Sequence, residues 1–206
     1  MKIKNKKEKT RKEIWETLHK NQLTHRKQGD YGKIPDFKGK TQAAEKLRKT
    51  EEYKKAKIIF TPPDTAQKPV RYNCLKDGKT LIMATPNLEN GYVLIKNKEN
   101  KAQQASDKKY ATENGKPIIK MPKIDLVIEG SVGVDLKGNR LGKGKGYADR
   151  EIKYLHQQKS INQKTPIITT IHPLQIKEEI PTDKNDCKIN MIITPKNIIY
   201  TENFKI

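Results

Sequence analysis

The chain has 206 residues, of which 33% are hydrophobic and 33% charged, with a formal net charge of +20. That length suits one domain with a real core under wide solvated surfaces, and the longest buried-looking run, near IDLVI at Ile124–Ile128, is far too short to span a bilayer. Cys74 and Cys187 lack CxxC spacing and, with four scattered histidines, make neither a disulfide framework nor a zinc set.

The first segment, Lys6 to about Leu23, reads as a helix with Ile14, Trp15 and Leu18 on one face. Arg11 and Lys7 continue that apolar stripe backwards at steps of four. They are either snorkelling cations at a frayed helix start or cations facing a pocket rim. The basic run MKIKNKKEKTRK leads into polar EIWETLHKNQ and not into an apolar segment. A secretory signal is therefore not expected, and a reduced, cytoplasmic protein is. After a turn-rich stretch, Thr41 reads as the N-cap of a helix carrying Ala43, Ala44 and Leu47, and Thr50 as the cap of a further turn ending near Tyr53.

From there the pattern becomes strand, helix, strand. Strands are expected at Lys57–Thr61, Thr80–Ala84, Tyr92–Ile95, Ile124–Ile128, Pro166–Ile171 and Ile189–Thr194, with Asn197–Tyr200 closing a sheet edge. A helix with Pro69 in its first turn ends before Gly78, and another starts near Tyr147 and runs through Ile152 and Leu155. Residues 97–122 read as a lysine-rich surface excursion with a short helix around Lys109. The chain is thus expected to be a single α/β domain over residues 1–206, with a mostly parallel sheet flanked by helices in a Rossmann-type architecture.

Between the fourth strand and the helix at Tyr147 lies the run RLGKGKGYADREI, Arg140–Ile152. Gly142, Gly144 and Gly146 let the backbone bring N–H groups against an anion. Arg140, Lys143 and Lys145 supply positive charge, and the helix start adds its own. The spacing is neither GxxxxGK[ST] nor GxGxxG, so residues alone leave a phosphate cradle and a mobile basic hairpin both open. Asp149 either favours the helix dipole or ligates magnesium beside phosphates, with Asp186 of IPTDKNDCKIN as the second carboxylate. The positive charge is carried mostly by lysine, the arginines being Arg11, Arg26, Arg48, Arg71, Arg140 and Arg150. It reflects either compositional bias or a polyanion surface.

The run GVDLKGNRLGKGKGYADREI, the later IPTDKNDCKINMIIT and the K-x-x-x-R pattern of the first helix, in that order, resemble the 5-formyltetrahydrofolate cyclo-ligase family, also called methenyltetrahydrofolate synthetases. Asp135, Gly138, Arg140, Leu141, Gly142, Gly144, Gly146, Tyr147 and Asp149 fit its hallmark, and Pro181, Asp186 and Thr194 fit the later segment. The resemblance implies the α/β architecture shared with some sugar-phosphate isomerases and CoA transferases. It also implies ATP- and magnesium-dependent conversion of 5-formyltetrahydrofolate, or a related formylated reduced pterin, to the 5,10-methenyl form with release of ADP and phosphate. On it, Lys7, Arg11 and the stretch Arg140, Leu141, Gly142, Lys143, Gly144, Lys145, Gly146 and Tyr147 would bind ATP. Arg140, Lys145 and Tyr147 would be catalytic, and Asp149 and Asp186 would hold Mg2+.

The chain departs from the pattern in three places. Ala148 stands where a second tyrosine is usual, TPPDTAQKPVR lacks the usual pterin-contacting glutamate and offers only Asp64, and EGSV replaces a proline-containing form. These mark a divergent branch. Some of its members are joined to RNA-binding modules, which keeps nucleic acid as an alternative partner on a fold without cyclo-ligase activity. Aromatic residues at 6% and the lack of an RNP-like stacking motif disfavour it.

Overall fold

The computed structural model describes residues 2–89, 91–97 and 101–204. Helix α1 (Ile3–Lys20) buries Lys7, Arg11, Ile14, Trp15 and Leu18. The stripe read from the sequence is thus one continuous face that includes both cations. The helix lies slightly N-terminal of the expected Lys6–Leu23. It stops at Lys20 because Gln22 turns with φ 54° and the Leu23 amide bonds back to the Leu18 carbonyl at 2.9 Å.

Helix α2 (Lys40–Arg48) corrects the expectation at Thr41, which lies inside its first turn. Gly39 is the N-cap and no side chain caps the helix. The chain leaves the Thr24–Phe37 bridge in a turn that bonds the Lys40 amide to Phe37 and the Ala43 amide to Gly39, and so starts the helix ahead of Thr41. Helix α3 (Glu51–Lys55) begins as expected, with the Thr50 hydroxyl accepting from the Tyr53 amide at 3.2 Å.

Strand β1 (Ile58–Thr61) is followed by a 3-10 turn at Thr65–Gln67 and helix α4 (Lys68–Lys76), with Pro69 in its first turn. Strands β2 (Thr80–Ala84) and β3 (Tyr92–Ile95) flank a 3-10 turn at Pro86–Leu88. The lysine-rich segment holds helices α5 (Ala102–Ala105) and α6 (Lys108–Asn114) and strand β4 (Lys116–Pro117). Its residues 98–100 lie outside the described residues. Then come β5 (Leu126–Glu129), the small hairpin of β6 (Gly133–Val134) and β7 (Arg140–Leu141), helix α7 (Tyr147–Gln157), and strands β8 (Ile167–Thr170), β9 (Met191–Ile193) and β10 (Ile198–Tyr200).

Eight strands form one sheet in the order β10-β9-β8-β5-β1-β2-β3-β4. The run from β9 to β2 is parallel, and antiparallel strands complete both sides. Every residue of β5, β8 and β9 is buried, which is why these strands read as apolar runs without alternation. One core lies between one sheet face and α1, α2 and α4, centred on Ile14, Leu47, Ile59 and Ile128. The other packs α7 through Ile152 and Leu155 against Phe60, Val127 and Ile192.

Arg71 of α4 lies within the first core's layer with 1% of its surface exposed. Its guanidinium donates to the carbonyls of Pro62, Asp64 and Ser106 at 2.8, 3.0 and 2.9 Å. It therefore fastens the turn after β1 and the excursion to one helix. Arg71→Ala should leave these acceptors unpaired and cost roughly 3 kcal/mol, read as a fall in the urea midpoint.

Candidate functional site

The carboxyl ends of the central parallel strands open into a cleft of about 1160 Å³. The segments that follow β1 (Pro62–Thr65), β2 (Thr85–Leu88) and β5 (Glu129–Gly130) line it, as ligand sites in open α/β sheets generally require. Its opposite wall is the N-terminal half of α1, the stretch from Arg140 through Glu151, and residues of the 183–186 segment.

The hallmark loop is built on a hairpin. The Asp135 carboxylate accepts from the Asn139 backbone at 3.0 Å, the Asn139 side chain at 2.8 Å and the Ile180 amide at 2.9 Å. This buried aspartate closes the turn between β6 and β7 and holds the later segment against it. Arg140 then leaves β7 with its guanidinium under the cleft, 4% exposed. It donates to the Gly130 carbonyl and to the Asp149 carboxylate, each at 3.0 Å. Burial alone would lower its pKa, but the charges of Asp149 and Glu129 outweigh that and raise it. Its Nε is buried and has no hydrogen-bond partner among the described residues.

Beyond Leu141 the chain passes through the glycines. Gly144 has φ +95°, a left-handed conformation that L side chains rarely adopt, and it faces the Arg11 guanidinium. Gly146, with φ +63°, is the N-cap of α7 and leaves the first amides of that helix without a side-chain cap. The open, positive helix end therefore faces the cleft. Tyr147 lines the cleft with the Arg150 guanidinium 5.0 Å from its ring centroid.

Lys7 and Arg11 both line the cleft, so the rim reading of the two cations is the one realised. Arg11 donates to the Gly142 carbonyl at 2.7 Å and pairs with Glu8 at 3.0 Å. Lys7 is bracketed by Asp183 and Asp186, each at 2.6 Å. Burial opposes its charge, yet the hydrogen bonds it donates to these carboxylates raise its pKa. Lys143 pairs with Asp64 at 2.9 Å. Lys145 is exposed on the cleft wall and forms no ion pair among the described residues.

Asp149 and Asp186 come from distant segments and both line the cleft. The Cys187 amide donates to the Asp149 carboxylate at 3.1 Å, which sets Asp186 next to it along the chain. Among the described residues no group of three or more His, Cys, Asp or Glu side chains forms a preformed metal centre. Two carboxylates beside an open helix end still match how magnesium is held, by one or two carboxylates plus phosphate oxygens. Burial, and then Asp149, push the Cys187 thiol up to about 11, so it stays protonated.

The sequence reading missed two residues on the cleft floor. Glu129 ends β5 at 1% exposure and Glu151 lies on the buried face of α7 at 5%. Burial first, and then the Glu151 charge, hold the Glu129 carboxyl well above the ordinary carboxylate range. Burial and the Asp64 charge raise Glu151. The signals were a carboxylate at the end of an apolar strand, and a glutamate four residues before the buried Leu155.

The family model described as the 5-formyltetrahydrofolate cyclo-ligase family matches residues 3–195. The chain belongs to that family. It is 32% identical over 200 residues to a bovine methenyltetrahydrofolate synthase domain-containing protein, covering 93% of this chain and 53% of that one. A probable 5-formyltetrahydrofolate cyclo-ligase of Schizosaccharomyces pombe is 28% identical over 202 residues, covering 89% and 98%. This cyclo-ligase family member therefore spans about half the length of the synthase domain-containing relatives it matches and nearly all of the yeast one. The solved 5,10-methenyltetrahydrofolate synthetase of Aquifex aeolicus shares the fold, with a TM-score of 0.62 at 19% identity over 97% of this chain and 95% of that one.

The raised Glu129 carboxyl has a measurable consequence. It binds its proton more tightly folded than unfolded. Its contribution is therefore fully present below the unfolded glutamate value and is lost as pH rises through the folded one. Relative to Glu129→Gln, the wild type should lose stability as pH rises above the ordinary glutamate range. Paired denaturant titrations at rising pH should diverge, with the variant gaining on the alkaline side.

Proposed function

We propose that this chain is an ATP- and magnesium-dependent 5-formyltetrahydrofolate cyclo-ligase, acting on that folate or a related formylated reduced pterin. The observation that carries the reading is convergence. Lys7 and Arg11 of α1, the glycine loop with Lys143 and Lys145, the open end of α7, and the carboxylates Asp149 and Asp186 all line one cleft. That combination is complementary to a metal-bound triphosphate. The family match supports the same activity, and its span supports reading the chain as one cyclo-ligase-like domain.

In this reading the lysines and Arg11 neutralise the phosphates, and the backbone amides from Gly144 to Tyr147 cradle them. Asp149 and Asp186 hold Mg2+, which supplies charge neutralisation at the phosphate oxygens. Arg140 fixes Asp149 and lends its charge to the oxygen that receives the phosphoryl group, while Lys145 and Tyr147 close over it. The γ-phosphoryl of ATP moves to the formyl oxygen as its bond to the β-phosphate oxygen breaks and ADP departs with that electron pair. The N10 lone pair then bonds to the formyl carbon and N10 releases its proton to solvent. The C–O bond breaks, and phosphate leaves with its electron pair. Such a sequence needs positioning and charge stabilisation more than a protein nucleophile.

Purified protein with MgATP and 5-formyltetrahydrofolate should generate the methenyl chromophore and stoichiometric ADP. Chelating the magnesium should abolish both. Arg140→Ala should reduce kcat by about a hundredfold or more, and Asp149→Asn should weaken the thermal shift given by MgATP. A wild-type protein that yields neither chromophore nor ADP would sink this reading.

A further inference from the structure

A second recess, of about 370 Å³, lies at the other end of α7 from the cleft and shares no lining residue with it. Lys120, Met121, Lys123, Gln158 and Lys159 line it. Two stretches meet there, residues 116–123 before β5 and residues 153–164 around the end of α7. The Ile124 amide donates to the Ser160 carbonyl at 2.9 Å, the Lys123 ammonium to the Lys159 carbonyl at 2.7 Å and the Ser160 hydroxyl to the Met121 carbonyl at 3.3 Å. Together the stretches carry Lys116, Lys120, Lys123, Lys153, Lys159 and Lys164, all exposed, and no aspartate or glutamate. The next carboxylate along, Asp125, is taken by the Lys57 and Ile58 amides at 2.8 and 2.9 Å. Elsewhere Lys7, Lys40, Lys54, Lys68 and Lys143 each pair with a carboxylate, whereas these six form no ion pair among the described residues. The negative end of α7 accounts for the Lys123 contact but not for six unpaired cations. Beside them Ile119 is 99% exposed, although its neighbour Ile118 packs against the core under α7. Lone exposed isoleucines are commonplace, but this one stands free within a lysine face that lacks carboxylates.

We propose that this face docks on an anionic lipid bilayer, the six lysines lying over the headgroup charge and Ile119 entering the boundary between headgroups and acyl chains. Charge complementarity and the apolar tip select that partner together. Lysine ammonium groups without arginine forks or stacking aromatics give neither bidentate phosphate contacts nor base recognition, and nucleic acid has no use for Ile119. An anionic membrane surface attracts clustered lysines and takes an apolar side chain into its interface, while the lysine stems lie along that interface with their charges in the headgroup layer. No described helix is long and apolar enough to cross a membrane, so the contact is peripheral. Helix α7 has 11 residues, which puts the cleft end about 16 Å from the docked end and leaves the cleft open to solvent. The inference is independent of the cyclo-ligase reading.

The test is co-sedimentation of the full chain with vesicles of phosphatidylserine and phosphatidylcholine, against phosphatidylcholine alone. Wild type should pellet with the mixed vesicles only, and added salt should weaken the binding. Replacing Lys120, Lys153 and Lys159 together by glutamine should weaken it by at least about tenfold, and Ile119→Ser by about fivefold. A control that replaces Lys12, Lys20 and Lys27 by glutamine removes the same charge from other exposed positions and should change it by less than about twofold. Every substituted side chain is exposed, so all three variants should keep the wild-type unfolding temperature. Equal losses from the two lysine triples would make binding a property of overall charge and overturn the proposal. Wild type that stays in the supernatant with the mixed vesicles overturns it too, as does Ile119→Ser that pellets like wild type. Should the face triple lose affinity for a short duplex oligonucleotide, read by fluorescence anisotropy, while its vesicle binding matches the control, the partner is nucleic acid and the proposal falls.

Discussion

A single buried guanidinium, that of Arg140, holds the cleft in shape. It joins the carbonyl of Gly130, where β5 ends, to the carboxylate of Asp149 in the first turn of α7. It thereby fixes the spacing between the sheet and the helix whose open end faces the cleft. Asp149 is in turn held by the Cys187 amide, so the loop before β9 is located by the same pair. A lysine could supply the charge but not the planar fork that bridges two acceptors at once. Removing either partner would strand a charge in a desolvated position, which costs far more than a surface pair contributes.

The rest of the cleft is self-neutralising in the same manner. Lys7 is matched by Asp183 and Asp186, and Lys143 by Asp64. In the proposed reading, a polyanion entering this site would exchange carboxylate partners for phosphate ones and free the carboxylates for a divalent cation. The fold is thereby spared a cluster of bare like charges, which would repel and destabilise the compact state. Positive and negative groups accordingly alternate around the cleft, in contrast to the lysine excess elsewhere on the surface.

The parallel core was legible because its strands are buried on both faces and therefore read as unbroken β-branched runs. The glycine spacing and the stripe running Lys7, Arg11, Ile14, Trp15, Leu18 exposed the outlines of the site, since helical periodicity puts those cations and apolar residues on one face. Thr41 misled because a hydroxyl at a helix start is a local signal, whereas the turn out of the Thr24–Phe37 bridge depends on a contact across the chain. Glu129 and Glu151 were hidden for a related reason. Each looks like ordinary polarity in the sequence, and only the juxtaposition of the end of β5 with the buried face of α7 makes them neighbours beneath a cleft. Asp135, which fits the family hallmark, spends its three side-chain hydrogen bonds on the chain itself.

The bracket around Lys7 has a further consequence in time. Its partners lie 176 and 179 residues further along the chain, among the most non-local contacts such a fold can contain. Contacts of this kind form late, after the sheet has brought distant segments within reach. On the ribosome α1 can coil as soon as it emerges, but its cations have no carboxylates to meet until the segment before β9 has been synthesised. A nascent or truncated chain can therefore carry most of the sheet and still lack a complete cleft, so ligand-binding competence would report on completion of folding more sharply than helix content does.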